Sequence, residues 1–435
     1  KLYMKNRKAL ALIAILALVA AACGGSDGGS DDAVVEVETT EAPATTEAPT
    51  TTAAPAPAGD PLILASLMPL SGDLASLGPG IALGAALAVE QINAAGGING
   101  QPVQLIEGDS GCDGAVALTS LNDVIAQGAQ GVMGAACSGT SLAILDTAIA
   151  AEVVMVSPSN TSPQFTKIDK KGFYARTAPS DLLQGDVLAS LLVEDGVQTV
   201  SIISRADSYG RGLAEATAAA FEAAGGTVKT IVYHATDASE FTSEVTAVGK
   251  GGADAIVGIL FPETGCGVLQ PAFEQGLLDT PWYMTDGVKD AGLASLCGLG
   301  TALDGFKGTA PGSAAGEAKD AFEAAYAEVS ADGSPTFIFA PQAYDAVMLM
   351  AISAAANGVT GPEIASGLVA ASSGGEKCIG VACIALAADG VDVDYVGASG
   401  EIELNAVGDP TAATYDIWTT EGDTNPVLKS VDFGS

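Results

Sequence analysis

Histidine occurs once in these 435 residues, at position 234, and 17 basic side chains stand against 52 acidic ones. With only His234, histidine-built metal centres and multi-histidine proton relays are excluded. The formal charge of −35 excludes nucleic-acid binding, because a basic surface is needed to displace counterions from phosphate. No two of the seven cysteines stand three positions apart, so there is no C-x-x-C redox or structural zinc motif. The apolar run Ala9 to Ala22 is fourteen residues long. At ~1.5 Å per residue it falls short of a ~30 Å hydrocarbon core. What remains is a chain 48% hydrophobic and 16% charged, able to build large cores. Its length suits two or three domains of about 150 residues each. The acidic excess reads as a solvated surface, suited to saline surroundings.

The first sixty positions are read as address and tether. Met4 is taken as the initiator, with Lys5, Arg7 and Lys8 as a basic segment before the apolar run. That arrangement is a signal peptide over residues 1–22. Ala20-Ala21-Ala22 before Cys23 resemble a lipobox, whose cleavage leaves the cysteine N-terminal and lipid-modified. Ala20 stands where Leu or Val is commoner in such boxes. Residues 23–59 are Gly/Ser/Asp and then Thr/Glu/Ala/Pro, with TTEAPA (39–44) repeated as TTEAPT (45–50). They have nothing to bury, and their prolines favour an extended chain of ~3.1 Å per residue, a reach on the order of 100 Å.

From Pro61 onward strands alternate with helices. The strand-like segments are 62–67, 102–108, 131–136 and 153–157, with helices at 79–95, 114–127 and 139–151 between them. After Arg176 the rhythm restarts, with helix 181–194, strand 199–204, helix 211–224 and strand 227–233. Helix 239–249, strand 254–260, helix 266–276, a short strand at 281–284 and helices at 316–329 and 341–357 follow. Strands separated by helices of this size imply an α/β protein whose parallel sheets are covered on both faces. One restart implies two Rossmann-like lobes. Ligands of such sheets bind beyond the strands' carboxyl ends, so two facing lobes make a cleft.

Setting Cys23 aside leaves Cys112, Cys137, Cys266, Cys297, Cys378 and Cys383. An even count behind a signal peptide favours disulfides, and six cysteines permit 15 pairings. Cys378 and Cys383 enclose only IGVA, which suggests a local loop.

Several segments together carry a family resemblance. PLSG (69–72) precedes EQINAAGGINGQPVQL (90–105), Cys112-Asp113 and Cys137-Ser138. SPSNTSPQF (157–165), RTAPSDLLQG (176–185), DSYGRG (207–212), DASEF (237–241) and YDAV (344–347) follow in order. From about residue 60 to the end, the chain resembles the leucine/isoleucine/valine-binding type of periplasmic solute receptor that serves ABC importers. The resemblance implies a type I periplasmic binding fold with about three crossovers, near 177, 311 and 411. It implies an N-terminal lobe of 60–177 and 311–411 and a C-terminal lobe of 178–310 and 412–435.

The resemblance also assigns roles. Ser138 opens a helix after strand 131–136. A helix N-terminus offers unpaired N–H groups and a favourable dipole to an anion, although Ser-Gly-Thr-Ser could equally be a helix cap. In the family the serine after this cysteine holds the ligand carboxylate. Ser159 and Thr161 follow strand 153–157 in the same manner, where the competing reading is a solvated turn. Asp286, in TDG, matches the carboxylate that anchors the ligand ammonium, and Tyr209 matches an aromatic lining the cleft from the second lobe. Two positions depart from the pattern. Leu77 or Leu74 stands where the family often has a large aromatic, and Phe261 replaces a tyrosine. Both make the pocket more apolar, which suits a branched aliphatic side chain. The family's first-lobe disulfide corresponds to Cys112–Cys137. With that bridge and the local 378–383 loop granted, Cys266 and Cys297 remain for the second lobe.

Enzyme readings find no constellation. GGSDG (24–28) fits G-x-S-x-G but lies in the tether, with neither strand before it nor helix after it. Gly78, Gly80 and Gly84 open a helix after a strand, yet the third glycine is one position late for a dinucleotide site. His234 reads as a surface or edge residue. The expectation is therefore a non-enzyme without cofactor: a monomeric, lipid-anchored receptor in the cell envelope, at the outer face of the cytoplasmic membrane or in the periplasm. It would close on a small amino acid and deliver it to an ABC permease. The rival is an amide- or urea-type receptor or sensor on the same scaffold.

Overall fold

A computed structural model describes residues 59–433. The expected signal peptide, Cys23 and the tether up to residue 58 lie outside the described residues.

Runs of Val, Ile, Leu and Met with no polar alternation form strands buried on both faces. The first unit runs β1 (Ile63–Met68), α1 (Gly78–Ala94), β2 (Gln104–Asp109), α2 (Gly114–Ala126), β3 (Gly131–Gly134), α3 (Ser138–Ala150), β4 (Val154–Ser157), α4 (Gln164–Lys167) and β5 (Tyr174–Arg176). Its sheet has the order β2-β1-β3-β4-β5, all parallel. The second unit continues with α5 (Asp181–Glu194), β6 (Thr199–Arg205), α6 (Ser208–Ala223), β7 (Thr227–His234), α7 (Thr242–Gly249), β8 (Ala255–Ile259), α8 (Pro262–Glu274), β9 (Trp282–Met284), α9 (Leu293–Leu296) and β10 (Lys307–Pro311).

The chain then returns to the first unit. It forms α10 (Glu317–Val329), α11 (Ala340–Asn357), α12 (Gly361–Gly367), β11 (Glu376–Ile379), α13 (Ala382–Ala388), β12 (Val393–Gly397) and β13 (Gly400–Glu401). Helix α11 is apolar nearly all round and packs on α1, α12, α13, β3 and β4. Three strands, β11-β12-β13, make a small sheet of their own. The last passage adds β14 (Ala413–Thr419) and β15 (Val427–Phe433) to the second sheet, in the order β15-β14-β10-β9-β8-β6-β7. Among the described residues, no helix is long and apolar enough to cross a membrane.

The second sheet departs from the expected all-parallel form in these two strands. Both β10–β14 and β14–β15 are antiparallel. No crossover helix separates the third passage from β14, and an antiparallel neighbour needs none. Pro311 still pairs with Tyr415, so the second passage between the sheets begins after it.

Glycines 78, 80 and 84 have a packing role that accounts for the dinucleotide-like spacing. A Cβ at Gly84 would collide with the carbonyl of Ala340, and one at Gly78 with that of Pro69. They let α1 lie against α11 and the loop after β1. His234, expected at the surface or an edge, ends the edge strand β7 but is fully buried, with its ring 4.6 Å from that of Phe241. Burial holds its pKa below the usual histidine value. The six cysteines pair as Cys112–Cys137, Cys266–Cys297 and Cys378–Cys383, with Cα separations of 5.5, 4.9 and 5.4 Å.

Candidate functional site

Parallel strands deliver their next residues to one edge of the sheet, and both sheets turn that edge toward a common space. Strand β3 leads through Ala135-Ala136-Cys137 into α3, and β4 leads into Ser157–Ser162. From the other side β6, β8 and β9 lead to Tyr209, Phe261 and Asp286.

Ser138 is the first residue of α3 and is buried. Cys137, not Ser138, is the cap residue, and its side chain makes no capping bond. The Ser138 hydroxyl instead accepts from the Ser162 N–H at 3.4 Å. The first amide taken up inside the helix is that of Ser141, bonded to the Cys137 carbonyl. The preceding N–H groups thus have no partner within the helix and make a positive pole. The Ser159 hydroxyl donates to the Ala136 carbonyl at 3.1 Å. The loop is largely buried rather than a solvated turn: Asn160, Thr161 and Ser162 are at most 2% exposed.

Asp286 sits opposite, 4% exposed, just after β9. Its Oδ1 accepts from Gln184 Nε2 at 2.7 Å and from the Tyr209 hydroxyl at 2.9 Å. Since Tyr209 spends its one proton on Asp286, the Thr285 hydroxyl at 2.9 Å donates to Tyr209. Burial pushes Asp286 up to about 6, although Gln184 and Tyr209 pull the other way.

The apolar wall is built from both units. Leu77, Leu74 and Ile81 come from the first, with Phe339 from the start of α11, and Phe261 comes from the end of β8. The Tyr209 and Phe261 rings stack at 5.4 Å, and the Arg205 guanidinium lies 3.8 Å from the Phe261 centroid. Gly287 has to be glycine, because a Cβ there would sit 2.5 Å from the Leu260 carbonyl oxygen. Ser138, Ser159, Tyr209, Phe261, Asp286 and Leu77 therefore border one narrow cavity of about 20 Å³. Thr161 does not border it. Its side chain is fully buried, and its hydroxyl acts on the Asp181 carboxyl.

Four residues of this region were missed from sequence, two polar and two apolar. Asp181 is fully buried, and its carboxyl lacks a well-formed hydrogen bond, with the Thr161 side chain the nearby hydroxyl that acts on it. Its N–H donates to the Thr161 carbonyl at 2.8 Å. Burial raises its pKa well above the usual carboxylate range, and the nearby Asp286 raises it further. Gln184, one turn on, has a free Oε1 and holds Asp286. In sequence, Asp181 reads only as the acid that suits a helix's first turn after the Ser180 cap. Ile81 and Phe339 likewise look like ordinary helix and loop hydrophobes. The assembled site has a donor-rich pole at α3, an acidic pole at Asp286 and Asp181, and an apolar flank. Such a surface is complementary in charge and polarity to a small dipolar molecule with an apolar side chain.

Two facing α/β units joined by three passages thus enclose a small cavity with polar ends between them. The family described as periplasmic binding protein matches over residues 61–377, and the chain belongs to it. An amino acid binding protein of Pseudomonas aeruginosa is 34% identical over 238 residues, 53% of this chain and 62% of that protein. The match thus spans less than two thirds of that relative's length. A leucine-, isoleucine-, valine-, threonine- and alanine-binding protein of the same organism is 29% identical over 304 residues, 68% of this chain and 78% of that one. The solved branched-chain amino acid receptor LivJ of Streptococcus pneumoniae, in complex with isoleucine, superposes with TM-score 0.71 at 22% identity, covering 86% of this chain and 100% of LivJ. A solute-binding protein of R. palustris, in complex with 4-hydroxybenzoate, superposes equally well, with TM-score 0.71 at 18% identity over 86% of this chain and 98% of that one.

Proposed function

We propose that this protein captures a small aliphatic amino acid between two lobes and hands it to an ABC importer. The observation that carries the reading is Asp286, a buried carboxylate facing the N-terminus of α3 across a cavity walled by Leu74, Leu77, Ile81, Phe261 and Phe339. An amino acid's carboxylate suits the α3 pole and the Ser138 hydroxyl, whose proton is free, with Ser159 beside them at the cavity wall. Its ammonium suits Asp286, the carboxylate that borders the cavity. Its side chain suits the apolar wall. No lysine, arginine or histidine borders the cavity, which disfavours a ligand that is only an anion, such as a benzoate.

The lobes are taken as 60–177 with 311–411, and 178–310 with 412–435, the second passage starting one residue later than the sequence suggested. Because the site residues are buried, the lobes must part to admit a ligand, and the ligand's bonds to both then favour the closed state. The signal-like segment and Cys23 support a lipid anchor, with residues 23–59 as its tether and a monomer at the outer face of the cytoplasmic membrane. Calorimetric titration with leucine, acetamide and 4-hydroxybenzoate tests the ligand class. Binding of leucine alone supports an amino acid receptor. Preference for acetamide supports the amide-receptor reading, and preference for 4-hydroxybenzoate an aromatic-acid receptor.

A further inference from the structure

The loop bearing Ser159 and Thr161 is held from behind by one fully buried arginine. Arg176, the last residue of β5, has no exposed surface. Its Nη1 donates to the carbonyls of Asn160 at 3.1 Å and Ser162 at 3.0 Å, the residues on either side of Thr161. Its Nη2 donates to Thr166 Oγ1 at 3.1 Å and its Nε to Asp409 Oδ1 at 2.9 Å. Asp409 in turn accepts from Thr166 at 2.6 Å and lies 3.6 Å from the Lys170 ammonium. It is four residues before β14, in the chain's third passage between the sheets. The Arg176 backbone N–H also bonds the Gly408 carbonyl at 2.9 Å.

We infer that Arg176 is a positioning residue for ligand binding, and that Asp409 ties the loop it sets to the third passage between the lobes. A planar guanidinium donates in several fixed directions at once, and no other side chain reaches two carbonyls, a hydroxyl and a carboxylate from one place. Opening of the lobes must bend the chain near Asp409, so the same pair that fixes Thr161 also feels the hinge. The inference rests on the ligand reading above.

Double-mutant cycles on the full chain test it, with leucine as the titrant. Arg176→Lys keeps the charge but loses the fork, and Asp409→Asn removes the anion that holds Nε; should Arg176→Lys fail to fold, Asp409→Asn carries the same cycle. Either is expected to weaken leucine binding by about tenfold or more. The effect should be non-additive with Thr161→Ala by about threefold or more, and additive with Asp286→Asn on the other lobe. A residue that merely stabilised the fold would be additive with both. Leucine binding that is unchanged in the variants, or additive in both cycles, overturns the inference. No leucine heat in the unmodified chain would instead overturn the ligand reading on which it stands, so the two failures are distinct.

Discussion

Asp73 Oδ2 and Arg205 Nη2 lie 2.8 Å apart across the cleft, pairing the loop after β1 with the end of β6. The arginine is almost buried. It also holds Asp207 at 2.8 Å, reaches Thr264 Oγ1 at 3.2 Å and stacks on Phe261 of the apolar wall. Beside this pair the Leu74 N–H donates to Glu263 at 2.9 Å, and Ser162 Oγ donates to the Ser208 carbonyl at 3.0 Å. The Ile338 N–H adds a bond to Asp290 at 2.9 Å. These contacts join the two units through protein atoms alone, so the closed arrangement depends on them as well as on a ligand.

Weakening this latch should cost affinity through the closure equilibrium. Asp73→Asn is expected to lower leucine affinity by about 3- to 30-fold. Most of the loss should appear as faster release, since an open state frees the ligand. Stopped-flow displacement of bound leucine measures it. A release rate equal to that of the unmodified chain removes the latch from the account.

Affinity should rise with pH through the range where Asp286 ionises. Its folded pKa of about 6 is raised by burial, so it is mainly protonated below that value and cannot pair with an ammonium. Going from pH 7.5 to 5 should weaken leucine binding by about tenfold, with no change above about 7.5. Burial, and after it the charge of Asp286, raises the Asp181 carboxyl well above the usual carboxylate range as well. Titration at several pH values is the measurement, and Asp286→Asn should flatten the curve. The stability effect has the opposite sign. A buried carboxylate with a raised pKa is least welcome when ionised, so the ligand-free protein gains stability as pH falls through about 6 toward 4.

Removing two of the disulfides should have distinguishable consequences. Cys112–Cys137 spans 25 residues and fixes the cap of α3, beside Ser138. Replacing both by alanine should cost about 3 kcal/mol of stability and weaken leucine binding as well. Cys266–Cys297, spanning 31 residues, joins α8 to the end of α9, away from the cavity wall. Its double alanine variant should cost a similar amount of stability, with leucine affinity within about twofold of the original. Melting curves and titrations of both variants decide it.

The strand–helix rhythm was legible because each doubly covered strand is a short apolar run between turn residues, as in Ala255–Ile259. Strands β14 and β15 were not. ATYDIWT mixes Thr, Tyr and Asp with apolar residues, and β15 is mostly exposed, so neither looks like a buried strand. Ser138, Ser159, Tyr209, Phe261, Asp286 and Leu77 were picked out by family resemblance, since each alone is an ordinary cap, turn or core residue. Asp181, Gln184, Ile81 and Phe339 gave no local signal. Their meaning arises only when α5, α1 and the start of α11 converge on one cavity. His234 does sit on an edge strand, but its burial was not legible, because an end-of-strand position does not reveal that Phe241 packs against it.

The central claim is an amino acid held with its ammonium on Asp286, and calorimetry of the unmodified chain and of Asp286→Asn with leucine tests it most directly. The account predicts micromolar or tighter binding, about −8 kcal/mol or better, for the unmodified chain. It predicts a loss of about tenfold or more in the variant, as for a charge-assisted hydrogen bond. Equal affinity in the two proteins, or no heat with leucine, isoleucine or valine, would contradict it.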